Sequence, residues 1–172
     1  ELELTLTGKD CGLSERAPMC GIPYHAAETY INRLIDKGYK VAICEQVEDP
    51  KTAKGIVKRE VTRVVTPGTN LNMQELDEGK NNYLMAIVCV GDHFGVSTAD
   101  ITTGDCYVTE IDEERKLWDE INKFLPAEII CNDAFLVSGV DVDDLRNRLH
   151  ISVFALESWY FGDDLCKQTL LE

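Results

Sequence analysis

The sequence predicts an α/β chain built of two small mixed units, and three observations carry that prediction. Apolar alternation at strand spacing and apolar recurrence at helix spacing interleave along the 172 residues. A turn signal, Thr66-Pro67-Gly68-Thr69, is followed by a polar, acidic, apolar-poor stretch from Asn70 to Asn82. Charge changes there: residues 1–70 hold 10 Lys+Arg and 10 Asp+Glu, whereas residues 71–172 hold 7 and 21. We therefore expect a first unit over 1–69, a linker over 70–82 and a second unit over 83–172.

In the first unit, Glu1 to Thr7 alternates acid or Thr with Leu, which predicts a half-buried strand. Gly8 to Cys20 reads as a polar loop. Ala27, Tyr30, Ile31, Leu34 and Ile35 then recur at helical spacing, with Lys37 and Gly38 marking the helix end. Tyr39 to Cys44 reads as a strand, closed by a turn at Glu48-Asp49-Pro50. Val57, Val61 and Val65 share one face of a further strand with Arg59 and Arg63, two cations able to meet a phosphate or an acidic partner.

The second unit opens with strands over 83–90, 94–102 and 106–111, whose short connections predict an antiparallel meander. Asp112 is placed to cap a helix whose apolar face is Leu117, Trp118, Ile121, Phe124 and Leu125, stopped by Pro126. A buried strand at 128–131, a helix near 141–149 and a strand at 151–156 follow, and strands reached through helices are expected to lie parallel. A last helix starts at Asp163. The order β-β-β-α-β-α-β, a three-strand antiparallel meander followed by βα crossovers, is that of ribonuclease-H-like domains and on its own also suits other mixed sheets. A strand signal at the first residue and a helix still open at the last lead us to expect a piece of a longer protein.

Seven cysteines, an odd number without any C-x-x-C pair, fit a reducing, cytoplasmic setting in which thiols serve as small hydrophobes. Cys11, Cys20 and His25 lack a fourth zinc ligand, so no metal is expected. The longest apolar run, Tyr83 to Val90, is too short to cross a bilayer. Phosphate-loop, dinucleotide-binding and nucleophile-elbow motifs are absent, so no catalytic residue is assigned. The alternative is a magnesium-dependent nuclease using Asp100, with Glu128 or Asp133 as a second carboxylate, because two-metal chemistry needs several carboxylates at one point. The plainer role for Asp100 is to satisfy turn amides at a strand end.

The stretches Pro18 to Leu34 (PMCGIPYHAAETYINRL), Gly38 to Pro50 (GYKVAICEQVEDP) and Val57 to Thr69 (VKREVTRVVTPGT) resemble the MutS family of DNA mismatch repair proteins. NYLMAI, FGVSTADITTGD and LPAEII extend the resemblance through the second unit. It implies that residues 1–69 are the later part of a mismatch-recognition domain, and that 83–172 are much of a connector domain that is ribonuclease-H-like without nuclease activity. It implies DNA-binding roles for Lys9, Met19 and Arg63: minor-groove packing for Met19 and phosphate contact for the cations. The family's full-length protein is implied to be a homodimer that clamps mismatched double-stranded DNA, wedges in the Phe of a Phe-x-Glu motif and couples this to an ATP- and magnesium-dependent ATPase. The resemblance also implies MutL as its downstream partner. No Phe-x-Glu occurs in this sequence, and no cofactor is expected for these residues.

Overall fold

The computed structural model describes residues 2–12, 14–70 and 81–172. By contacts the chain divides into two compact units, between Val65 and Thr66. Thr66–Asn70 therefore falls with the second unit, while residues 71–80 of the expected linker lie outside the described residues.

The first unit runs β1 (Thr7–Lys9), β2 (Ala17–Met19), α1 (Ala27–Ile35), β3 (Val41–Gln46) and β4 (Arg59–Val65). Strands β1 and β2 form one antiparallel ribbon, and β3 and β4 another. The strand expected over 1–7 is corrected: pairing begins only at Thr7. Glu3 takes a φ of 55°, in the left-handed region, which interrupts an extended run and leaves the Glu-Leu alternation without a ladder. The expected 8–20 loop is likewise corrected, because it folds back as the β1–β2 ribbon, with Thr7 Oγ1 donating to the Met19 carbonyl at 2.8 Å.

Helix α1 half-buries Ala27, Tyr30, Ile31 and Leu34 and buries Ile35, the apolar set that its spacing predicted. It ends on a left-handed glycine. Gly38, at φ 78°, lets its own N–H reach the Ile35 carbonyl at 2.7 Å and the Tyr39 N–H reach that of Leu34 at 3.0 Å, so the last carbonyls keep partners. Between β3 and β4 the register shifts at Ile43/Cys44, where Thr62 is the extra residue. A bulge breaks alternation. The single face expected for Val57, Arg59, Val61, Arg63 and Val65 is thus interrupted, and Val61 and Val64 stay exposed while Val65 is buried.

The second unit is a five-stranded sheet of β5 (Tyr83–Val90), β6 (His93–Asp100), β7 (Cys106–Ile111), β8 (Glu128–Cys131) and β9 (Ser152–Ala155), in the order β7-β6-β5-β8-β9. The first three are antiparallel; β8 and β9 join parallel, as the ribonuclease-H-like order requires. Between and after them lie α2 (Glu114–Phe124), α3 (Asp133–Leu136), α4 (Val142–Asn147) and α5 (Asp163–Leu171). Met85, Ile87 and Cys89 of β5, Phe94 and Val96 of β6 and Ile129 and Cys131 of β8 pack with Leu117, Ile121, Phe135 and Leu145 from the helices. Burial pushes the Cys131 thiol up to about 11, which keeps it a protonated core filler.

Local differences have local causes. Strand β6 stops at Asp100 rather than continuing to 102, because the Asp100 carboxylate accepts the Thr102 N–H and bends the chain. Glu113, not Asp112, is the N-cap residue of α2, and Asp112 instead pairs with Lys116 at 3.2 Å. Leu125 leaves the apolar face: it sits beyond the helix at φ 44°, exposed, ahead of Pro126. Among the described residues no helix is long and apolar enough to cross a membrane.

Candidate nucleic-acid interface

In the β1–β2 ribbon, Thr7 stands opposite Met19 and Lys9 opposite Ala17. Because side chains alternate along a strand and opposed residues share a face, Thr7, Lys9, Ala17 and Met19 occupy one face, with Gly8 and Pro18 on the other. The structure thus brings together two of the three predicted contacts. Lys9 is exposed, and Met19 is 44% exposed, with a thioether free to adapt to an irregular surface. Arg16 supports the ribbon, its guanidinium donating to the Gly8 carbonyl. A Cβ at Gly8 would come within 3.2 Å of the Arg16 Cβ, a tight contact that Arg16 would have to yield to. Tyr24, 90% exposed on the short turn after β2, is an aromatic that spacing gave no reason to select.

Arg63 lies elsewhere, on β4 at the bulge in the second ribbon. Its guanidinium faces Glu28 of α1 at 3.6 Å, with both side chains about half exposed. Such a pair is worth at most about 1 kcal/mol and is easily exchanged for a phosphate. Arg59 is exposed on the same strand, whereas Lys58 is engaged with Glu60.

Asp100, the residue of the nuclease alternative, is buried and fully occupied. Its carboxylate accepts from the Thr102 N–H at 2.8 Å, the Thr102 hydroxyl at 2.6 Å and the Asn81 amide at 2.8 Å. Burial alone pushes the carboxyl upward, but the Thr102 and Asn81 side-chain bonds and the Thr102 and Asn82 amides outweigh it and hold it below its ordinary value. Glu128 is also buried, and it accepts the Gly68 N–H at 3.0 Å, while Asp133 is exposed at the start of α3. Among the described residues no three His, Cys, Asp or Glu side chains converge as a metal site would need. The donor set gives the nuclease alternative no support, and Asp100 satisfies a turn.

A family model described as MutS domain I matches residues 1–74, and one described as MutS domain II matches residues 82–172. Over all 172 residues the chain is 65% identical to the DNA mismatch repair protein MutS of Lachnoclostridium phytofermentans, covering 18% of that protein. It is 54% identical to the MutS of Ruminiclostridium cellulolyticum, with 96% of the chain and 20% of that protein aligned. For the MutS of Acetivibrio thermocellus the identity is 52%, over 98% of the chain and 20% of the protein. The chain spans about a fifth of the length of these curated relatives.

Proposed function

Because this chain belongs to the MutS family of DNA mismatch repair proteins, we propose that its first unit helps to hold mismatched duplex and its second relays that state to other domains and partners. The observation that carries the first half is the shared, exposed ribbon face of Lys9 and Met19. A flexible apolar thioether beside a cation suits a widened, partly unstacked minor groove, with Met19 packing on sugars and base edges and Lys9 meeting a phosphate. Arg63 would contribute a second phosphate contact by exchanging Glu28 for DNA.

The acidic second unit suits protein contact better than DNA contact. We read it as the non-catalytic connector between DNA-bound state, ATPase and MutL. ATP, magnesium and homodimerisation belong, on this reading, to the longer protein and not to these residues.

Fluorescence anisotropy with mismatched and matched duplexes tests the reading. The 172-residue chain is expected to bind both weakly and with little preference, since it carries no Phe-x-Glu wedge. In a full-length relative with the same residues, Met19→Ala should lower mismatch preference, whereas Lys9→Ala and Arg63→Ala should weaken both duplexes alike and flatten the salt dependence. Unchanged binding in all three variants would remove the ribbon and Arg63 from the interface.

A further inference from the structure

The two edges of the five-stranded sheet are treated differently. At β9, only four residues long, Arg146 Nη2 donates to the Val153 carbonyl at 2.8 Å, so a side chain blocks the edge. Among the described residues no side chain blocks β7 in this way. The strand is six residues long (Cys-Tyr-Val-Thr-Glu-Ile), pairs with β6 without register shift, and carries neither proline nor lysine. Among the described residues no strand pairs with its outer edge.

Which groups face outward follows from one hydrogen bond. The Asp100 N–H donates to the Asp105 carbonyl at 2.9 Å, which fixes Asp100/Asp105 as a bonded pair. By antiparallel alternation Thr98/Tyr107, Val96/Thr109 and Phe94/Ile111 are bonded pairs too. Cys106, Val108 and Glu110 must then turn their N–H and C=O groups away from β6. Alongside this edge runs a groove of about 490 Å³, floored by Val96, Thr98, Tyr107 and Thr109 and walled by Glu120 and Lys123 of α2. Tyr107 is 47% and Val108 78% exposed.

Charge selects the occupant. Asp105, Glu110, Asp112, Glu113, Glu114 and Glu120 rim the strand and outnumber the neighbouring cations Arg115, Lys116 and Lys123, of which Lys116 is engaged with Asp112 and Glu113 and Lys123 with Glu120. A second copy would bring the same acidic rim against itself. We propose that β7 accepts an extended basic segment of a partner protein as a sixth strand, alternate apolar side chains entering the groove and Lys or Arg meeting the rim. The inference stands whether or not Lys9, Met19 and Arg63 touch DNA, and it does not require the partner to be MutL.

The test is a titration of the 172-residue chain with fluorescein-labelled peptides of alternating Lys and Val, or alternating Glu and Val, with amide exchange at Val108 and Glu110 as a second readout. The Lys peptide should bind, lose affinity with salt and slow exchange at both amides; the Glu peptide should not bind. Val108→Pro removes an outward N–H while sparing the β6 ladder, so it should weaken binding by at least about tenfold with thermal unfolding unchanged. Glu110→Lys, which leaves the backbone intact, should also weaken it. Equal binding of both peptides, no slowing of exchange, or self-association of the chain that Val108→Pro abolishes would overturn the proposal.

Discussion

The first unit buries little and displays much, whereas the second does the reverse. Among the described residues the buried apolar side chains of the first unit are Ile35 and Val65, while fifteen pack together in the second. Chains that bury so little apolar surface are marginal on their own. The units should therefore unfold separately, the first at lower denaturant. Both tryptophans, Trp118 and Trp159, lie in the second unit, so their fluorescence follows that unit alone.

The strongest way to break the contrast is Phe135→Ala. Phe135 is fully buried and meets Phe94 edge-on at 6.5 Å between ring centres. Its loss should cost about 3–5 kcal/mol in tryptophan-monitored denaturation, without moving the first unit's amide-exchange pattern. Gly68→Ala comes next. Its Cβ would fall 2.9 Å from Leu84 Cδ1 and 3.0 Å from Glu128 Cβ, an overpacking worth about 1–3 kcal/mol in the same assay.

Asp100→Asn should cost about 1–3 kcal/mol near neutrality, because a carboxylate that accepts several donors becomes an amide that cannot accept them all. The sign with pH follows from a folded-state carboxyl held below its ordinary value. Its contribution is complete above the unfolded value of about 3.9 and is lost as pH falls through the lower folded one. The variant and the parent chain should thus converge in stability in strong acid; a gap that persists there would contradict this account. Smallest is Glu28→Gln, which should alter stability by about 0.5 kcal/mol or less, because its pair with Arg63 is half exposed. Tighter duplex binding in that variant would sharpen the role proposed for Arg63.

Legibility followed the same divide. Strands β5, β7 and β8 fall on the residues that alternation and turn chemistry predicted, because glycine turns at Gly91 and Gly104 punctuate long β-branched runs. Helix α3 and the single turn at Ser158–Phe161 are too short to leave a period in the sequence. In the first unit the Glu-Leu alternation over 1–7 imitates a strand, yet the ladder forms where a partner is available, at Thr7–Lys9 against Ala17–Met19. Lys9 and Met19 could be selected through family resemblance, but their common face is a long-range pairing that spacing does not encode. The Arg63–Glu28 contact and the burial of Asp100 are likewise properties of the fold.

The hydrogen bond from Gly68 to Glu128 joins residues 60 positions apart, and that separation bears on the order in which the protein is made. A chain leaving the ribosome from its N-terminus exposes Pro67–Thr69 well before Glu128 has been synthesised. Until β8 pairs beside β5, the Gly68 N–H has only water to bond, while every residue of the first unit is already available to fold. The segment Pro67–Thr69 is then among the last parts of the second unit to set, and a chain halted short of Glu128 would leave it unanchored.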